Sequence, residues 1–154
     1  MNENKIRIIK LGPMSVASAY TFGGTPEEKA FEKMYEFAKE NGLLLDGQLP
    51  PTFGFNNPNP SAGSPNYGYE VWLPLDGEFK AWEGVNSIDF PGGLYAVGLC
   101  HGLQNIAKDW LDLARWREGS KYLAGKHQWL EHLLSPQDAA PDQYEFELYL
   151  PIAE

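Results

Sequence analysis

Residues 69–74 read Tyr-Glu-Val-Trp-Leu-Pro, and residues 146–151 read Phe-Glu-Leu-Tyr-Leu-Pro. Both stretches run aromatic, Glu, aliphatic, aromatic, Leu, Pro, and each follows a strand, a helix and another strand in the predicted order. A solenoid needs at least three repeats, so two copies predict one duplicated domain. We therefore expect a single α+β domain over residues 1–154, with halves at about 5–76 and 87–154. Each half is a βαββ unit, and the two form a pseudo-twofold antiparallel sheet with two helices on one face.

Each predicted half contains one helix. Residues 25–28, Thr-Pro-Glu-Glu, open the first helix, with Thr25 as the N-cap and Glu28 completing a capping box. Apolar residues then recur at helical spacing up to the stop at Asn41-Gly42. Asn105 is the predicted cap of the second helix, which ends at Gly119.

Alternation along the strands sorts the side chains onto two faces of the sheet. The predicted strands are residues 5–22 (interrupted at Gly12-Pro13), 52–55, 69–75, 94–100, 127–133 and 144–152, with an acidic connector at 76–86. Glu70 shares a face with Trp72, and Glu147 shares a face with Tyr149, so the aliphatic face is left for the helices. Trp129 and Glu131 likewise fall on one side of their strand.

Carboxylates interleaved with large rings are the most informative pattern in the chain. Aromatic rings offer flat stacking surfaces with a negative face, and a carboxylate among them attracts a cation. Aromatic residues make up 14% of the sequence, which is more than packing of a small domain requires. The pattern favours a site for a planar, apolar cation. A solvated sheet face with outward-pointing glutamates is an equally good interpretation of the pattern alone.

Composition bounds the possible partners. The formal net charge is −9, which repels a phosphate backbone, so no direct nucleic-acid binding is expected. Cys100 is the single cysteine, so a disulfide framework is excluded. The chain shows neither an apolar signal-peptide region nor a stretch long enough to span a membrane, which favours the cytoplasm and no membrane partner.

Other chemistry is not favoured. His127 and Glu131 share a strand face while His132 points the other way, so no metal site is expected. Cys100 and His101 are adjacent on a strand and face apart, which argues against a nucleophilic dyad. Gly92-Gly93 precedes a strand rather than a helix, unlike a dinucleotide fingerprint, so no cofactor is expected.

The second half contains Gly-Gly-Leu-Tyr-Ala-Val at 92–97, the helix residues 106–116, His-Gln-Trp-Leu-Glu at 127–131 and the strand at 144–152. With these motifs in this order, it resembles the GyrI-like family of small-molecule-binding domains. The resemblance extends over about residues 6–152. It implies a duplicated βαββ fold with a ligand cleft near the pseudo-twofold axis. Family regulators carry a helix-turn-helix module before this domain, and here the first strand begins within a few residues of Met1, so we do not expect a transcription factor acting alone.

The resemblance also implies a site and a function. In the family, a buried glutamate before the last loop neutralises cationic aromatic drugs, and Glu131 is the matching residue. The resulting candidate ligand-binding set is Glu131, Trp72, Glu70, Trp129, Tyr149, Glu147 and Trp110. The leading expectation is a stand-alone binding domain for hydrophobic, often cationic, aromatic small molecules. The alternatives are a hydrolase of cyclopropane-bearing genotoxins, with Glu131 as the catalytic residue, and a protein-interaction module of the gyrase-inhibitor type.

Overall fold

The computed structural model describes residues 5–77, 79, 82–136 and 138–154, which form nine β-strands and two α-helices. They divide into two compact units. The N-terminal unit is Met14–Phe90, and the C-terminal unit contains strand β1 (Arg7–Leu11) and residues Pro91–Glu154. All strand pairs given by the structure are antiparallel within each unit, which confirms the α+β class. Within the described part of the chain, no helix is long and apolar enough to cross a membrane.

The N-terminal unit is a four-stranded antiparallel sheet with one helix. Its elements are β2 (Met14–Gly23), α1 (Pro26–Glu40), β3 (Thr52–Asn56), β4 (Tyr67–Pro74) and β5 (Val85–Phe90). The strands are ordered β5-β2-β4-β3. The predicted helix and the three predicted strands are therefore present.

The C-terminal unit repeats the same topology. Its further elements are β6 (Gly93–His101), α2 (Ile106–Glu118), β7 (Leu123–Ala124), β8 (Leu130–Leu133) and β9 (Glu145–Ala153). The strands are ordered β1-β6-β9-β8, and the short β7 pairs with the end of β9. In both units the first strand of the βαββ order pairs with the last, and an additional strand covers its other edge.

The strand register aligns the two units residue by residue. Val71 of β4 and Leu148 of β9 are equivalent in the sequence repeat. Gly54 lies opposite Val71, and Glu131 lies opposite Leu148. Gly54 and Glu131 are therefore matched positions in the two units.

Helix α1 covers an apolar core in the N-terminal unit. Its inner face buries Pro26, Ala30, Met34, Phe37 and Ala38. The sheet residues packed beneath it include Ala17, Ala19, Tyr69, Val71, Leu73 and Val85. These strand residues share one face because alternate side chains point the same way, as the sequence pattern predicts.

Helix α2 is much less apolar on its inner face. Its buried residues are Asp109 and Leu113. Met34 of α1 and Leu113 of α2 are large, fully buried residues near the middle of their helices, and we take them as matched positions. Four residues before them stand Asp109 and Ala30, and four residues after them stand Arg117 and Ala38. Two fully buried alanines of α1 thus correspond to an acid and a base in α2.

Several details differ from the sequence prediction. Thr25 occupies the N-cap position, but its side chain makes no capping hydrogen bond, so the predicted capping box with Glu28 is wrong. The Thr21 hydroxyl, four residues earlier, donates to the Pro26 carbonyl. Strand β8 begins only at Leu130, so residues 127–129 of the predicted strand lie outside it. Strand β5 begins at Val85, within the stretch 76–86 that the sequence predicts to be a connector. Strand β1 directly precedes β2 in the chain, but it pairs with β6 and belongs to the C-terminal unit.

Candidate functional site

Glu131 lies on the face of the C-terminal sheet that carries α2. It is opposite Leu148, and Leu148 is opposite Gly98 of β6. Cys100 shares this face, because it lies two residues beyond Gly98. The Cys100 thiol donates to the Gly102 carbonyl at 3.7 Å, and the Asp109 carboxylate of α2 lies close enough to raise the pKa of this thiol, so this face lies beneath the helix. Glu131 is half-buried there.

Asp109 is a second carboxylate beneath α2, and the sequence prediction missed it. It is 8% exposed and lies within 3.9 Å of Lys108 Nζ. Burial, together with the neighbouring carboxylates of Asp109 and Glu131, raises the pKa of Cys100 to about 12. Both carboxylates are therefore within electrostatic range of Cys100. The thiol stays protonated at neutral pH, which argues against a nucleophilic cysteine.

Trp110 of α2 and Trp129, which lies outside the helix, form an aromatic pair. Their ring centroids are 5.2 Å apart at an angle of 45°. Trp129 directly precedes β8 and is 42% exposed, whereas Trp110 is half-buried. The guanidinium of Arg117 lies over the Trp129 ring, 5.8 Å from its centroid. Three predicted site residues, Glu131, Trp110 and Trp129, thus lie on the α2 side of one unit.

Glu147 and Tyr149 lie on the opposite face of the same sheet. Glu147 pairs with Arg7 of β1, and its Oε1 is 3.4 Å from His132 Nδ1. Burial lowers the pKa of His132, and the hydrogen bond to Glu147 partly offsets this. Tyr149 packs edge-on against Tyr95 at 5.3 Å. Arg7 therefore already neutralises Glu147 within the unit.

Glu70 and Trp72 occupy the matched face in the N-terminal unit. Trp72 Nε1 donates to Glu70 Oε2 at 2.6 Å, and Ser18 Oγ donates to the same oxygen at 2.9 Å. Trp72 is buried and packs against Phe55 and Phe90. Neutral donors thus hold this carboxylate in an apolar setting.

The structure divides the predicted set between the two faces of the C-terminal sheet and one face of the N-terminal sheet. The residue matched to Glu131 in the N-terminal unit is Gly54, and its surroundings show how the two units differ at this position. A Cβ atom added at Gly54 would lie 2.1 Å from the Tyr69 hydroxyl, so the Tyr69 side chain fills the space beneath α1. In the C-terminal unit the equivalent of Tyr69 is Phe146, which lacks that hydroxyl, and a carboxylate stands in place of the glycine.

An open depression lies elsewhere in the N-terminal unit. Its volume is about 720 Å³, and its lining residues are Tyr20, Thr21, Phe22, Lys29, Glu32, Lys33, Glu36 and Trp82. None of these belongs to the predicted ligand-binding set. Within the described ranges, no group of three or more His, Cys, Asp or Glu side chains is arranged to hold a metal ion.

The arrangement beneath α2 suits a ligand that is aromatic and positively charged. Glu131 and Asp109 supply negative charge at half-buried and buried positions, where a charge interacts more strongly than in water. The indole pair supplies the flat faces that cations prefer. Asp109 and Arg117 could have been found in the sequence by aligning the two helices on their central buried residue.

The family model described as "integron-associated effector binding protein" matches residues 7–152. The chain belongs to this family. The match covers both units and agrees with the resemblance to GyrI-like effector-binding domains. Membership implies small-molecule ligands. No curated protein sequence matches the chain significantly.

Solved structures share the fold at low sequence identity. The C-terminal domain of EcmrR has a TM-score of 0.73 and 14% identity, covering 97% of each chain. A hydrolase from Listeria innocua has a TM-score of 0.67 and 16% identity, covering 99% of this chain and 94% of the other. The protein SAV2435, bound to tetraphenylphosphonium, has a TM-score of 0.57 and 12% identity, covering 96% and 93%. At these identities the likeness shows the fold alone.

Proposed function

We propose that this protein binds hydrophobic, cationic aromatic small molecules beneath helix α2 of the C-terminal unit. The observation that carries the proposal is the difference between matched positions. Glu131 and Asp109 stand where the N-terminal unit has Gly54 and Ala30, both closely packed. We take the presence of carboxylates at positions where the duplicated fold uses small apolar residues as support for a ligand site.

Two further findings support a cationic ligand. The formal net charge of −9 attracts cations to the whole molecule. SAV2435, which shares the fold, is bound to tetraphenylphosphonium, a lipophilic cation with four phenyl rings. We expect tetraphenylphosphonium to bind this protein with micromolar affinity, about −8 kcal/mol.

The test is the affinity for tetraphenylphosphonium, measured by isothermal titration calorimetry on the wild type and on Glu131→Gln. Glutamine keeps the size of the side chain and removes the charge. We expect the variant to bind about 5- to 150-fold more weakly, which corresponds to a loss of about 1–3 kcal/mol for a charge-assisted contact. Triphenylphosphine oxide, a neutral relative of the cation, is the ligand control and should be unaffected.

Glu147→Gln and Glu70→Gln are the matched protein controls, because both remove a carboxylate from the other face of a sheet. They change the net charge equally but should leave the affinity within about twofold, because both carboxylates lie on the sheet face away from the helices and are held by their own partners. A larger loss in either control than in Glu131→Gln would place the ligand on the opposite face and contradict the proposal.

A hydrolase that uses the same site is the second candidate function. It is favoured by the two carboxylates near Cys100, since neighbouring carboxylates and burial can shift a pKa toward the range of a general base. A hydrolase from Listeria innocua shares the fold. If Glu131 is such a base, Glu131→Gln should retain binding of a cyclopropane-bearing substrate, while turnover falls by about a hundredfold or more.

A further inference from the structure

Arg117 has no role in the sequence prediction, yet it contacts the most exposed ring of the proposed site. We propose that Arg117 is a specificity-determining residue, whose guanidinium competes with cationic ligands for the ring of Trp129. The inference rests on the proposed function, because it concerns how the same site selects its ligands.

The contact has the geometry of a cation–π interaction. Arg117 Cζ lies 5.8 Å from the centroid of Trp129, within the distance of about 6 Å at which such pairs attract. Arg117 Nη1 also donates to the carbonyl of Pro151 at 3.0 Å, which holds the guanidinium against β9. The cation on this ring is therefore supplied by the protein and is fixed in place.

Trp129 is held between two turns of α2. Trp110 and Arg117 are seven residues apart, so they lie on one side of the helix with an axial separation of about 10 Å. The Trp129 centroid lies 5.2 Å from the Trp110 ring and 5.8 Å from Arg117 Cζ. A cation that stacks on the face of Trp129 beneath the guanidinium must displace Arg117 and is repelled by its charge.

The duplicated unit shows that the fold does not need a charge at this position. The residue matched to Arg117 is Ala38, which is fully buried against the N-terminal core. An alanine-sized side chain is thus sufficient for the helix to pack on its sheet. Of the two units, only the C-terminal one has an arginine at this helix position, and it is also the unit that contains Asp109 and Glu131.

Two substitutions test the competition. Arg117→Gln removes the charge above Trp129 and keeps a chain of similar reach. Lys121→Gln is the matched control, since Lys121 Nζ lies 5.3 Å from the ring of Tyr122 and the same charge is lost. Affinities for tetraphenylphosphonium and for triphenylphosphine oxide are measured by calorimetry at one ionic strength.

We expect Arg117→Gln to bind tetraphenylphosphonium about two- to fivefold more tightly than the wild type, the size of an exposed cation–π contact. Lys121→Gln should stay within about 1.5-fold, and affinity for the neutral oxide should change in neither variant. Unchanged or weaker binding of the cation by Arg117→Gln, relative to Lys121→Gln, would overturn the inference.

Arg117→Lys keeps the charge and serves if the glutamine variant fails to fold. Its affinity for tetraphenylphosphonium should stay close to that of the wild type, and a gain equal to or above fivefold would contradict a role for the charge. If the wild type does not bind the cation but Arg117→Gln does, the inference is supported in its strongest form. If neither binds, while both fold, the proposed function and the inference are both wrong.

Discussion

The two units share one topology but use their helices differently. Helix α1 buries five apolar residues over a continuous core, whereas α2 buries one leucine and one aspartate. Where α1 has Ala30 and Ala38, α2 has Asp109 and Arg117. The comparison indicates that the N-terminal unit keeps the fold's ordinary packing and that the C-terminal unit has exchanged some packing for charge. In a duplicated fold, one unit can therefore serve as the reference against which unusual residues of the other unit are recognised.

The largest expected effect comes from moving the acid between the helices. Ala30→Asp should lower the free energy of unfolding by about 3–5 kcal/mol, because it buries a carboxylate in the apolar core without a partner. The reverse substitution, Asp109→Ala, should change it by less than about 1 kcal/mol, since the matched alanine fits beneath α1. Urea denaturation measures both. Comparable losses in the two variants would show that Asp109 is structural.

A smaller effect should follow at the matched strand positions. Gly54→Ala places a methyl group against the buried Tyr69 side chain and should cost about 1–3 kcal/mol through overpacking. Glu131→Ala should cost less than about 1 kcal/mol, because the residue is half-buried and shortening it leaves no clash. Thermal or urea denaturation of both proteins checks this.

Gly23→Ala is the control for the glycine substitution, since nothing lies within 4 Å of its added Cβ and the residue is also on a strand. Its stability should stay within about 0.5 kcal/mol of the wild type. A loss at Gly23 as large as at Gly54 would mean that backbone effects, not the Tyr69 side chain, explain the cost.

The smallest expected effect concerns pH. Burial holds the pKa of His132 below its ordinary 6.5 in the folded state, so the unfolded chain binds this proton more tightly. Its contribution to stability is therefore complete above pH 6.5 and is lost as the pH falls toward the lower folded value. His132→Phe should flatten the decline in stability between pH 7 and 5 by less than about 1.4 kcal/mol per pH unit.

Phe55 occupies the matched position beside Trp72, so a phenyl ring is compatible with that place in the sheet. Urea denaturation from pH 5 to pH 8 measures the change. A steeper decline in His132→Phe than in the wild type would contradict the sign.

Much of the fold could be predicted from the sequence because the repeat and both helices have strong periodic signals. Strand β5 could not be predicted, because the polar residues Asn86, Ser87 and Asp89 leave no clear alternation of apolar and polar side chains along it. The face on which Glu131 lies also depends on how β8 pairs with β9, and a one-residue shift would reverse it. Some of the site residues could be predicted from the sequence. Only the pairing register of β8 with β9 shows that Glu147 and Tyr149 lie on the opposite sheet face from Glu131.

The most direct test of the central claim is a crystal structure of this protein with tetraphenylphosphonium. The account predicts that the phosphonium lies on the α2 side of the C-terminal unit, with a carboxylate oxygen of Glu131 and the ring of Trp129 each within about 6 Å of the cation. Density for the ligand against Glu70 and Trp72, or against Glu147 and Tyr149, would contradict the account.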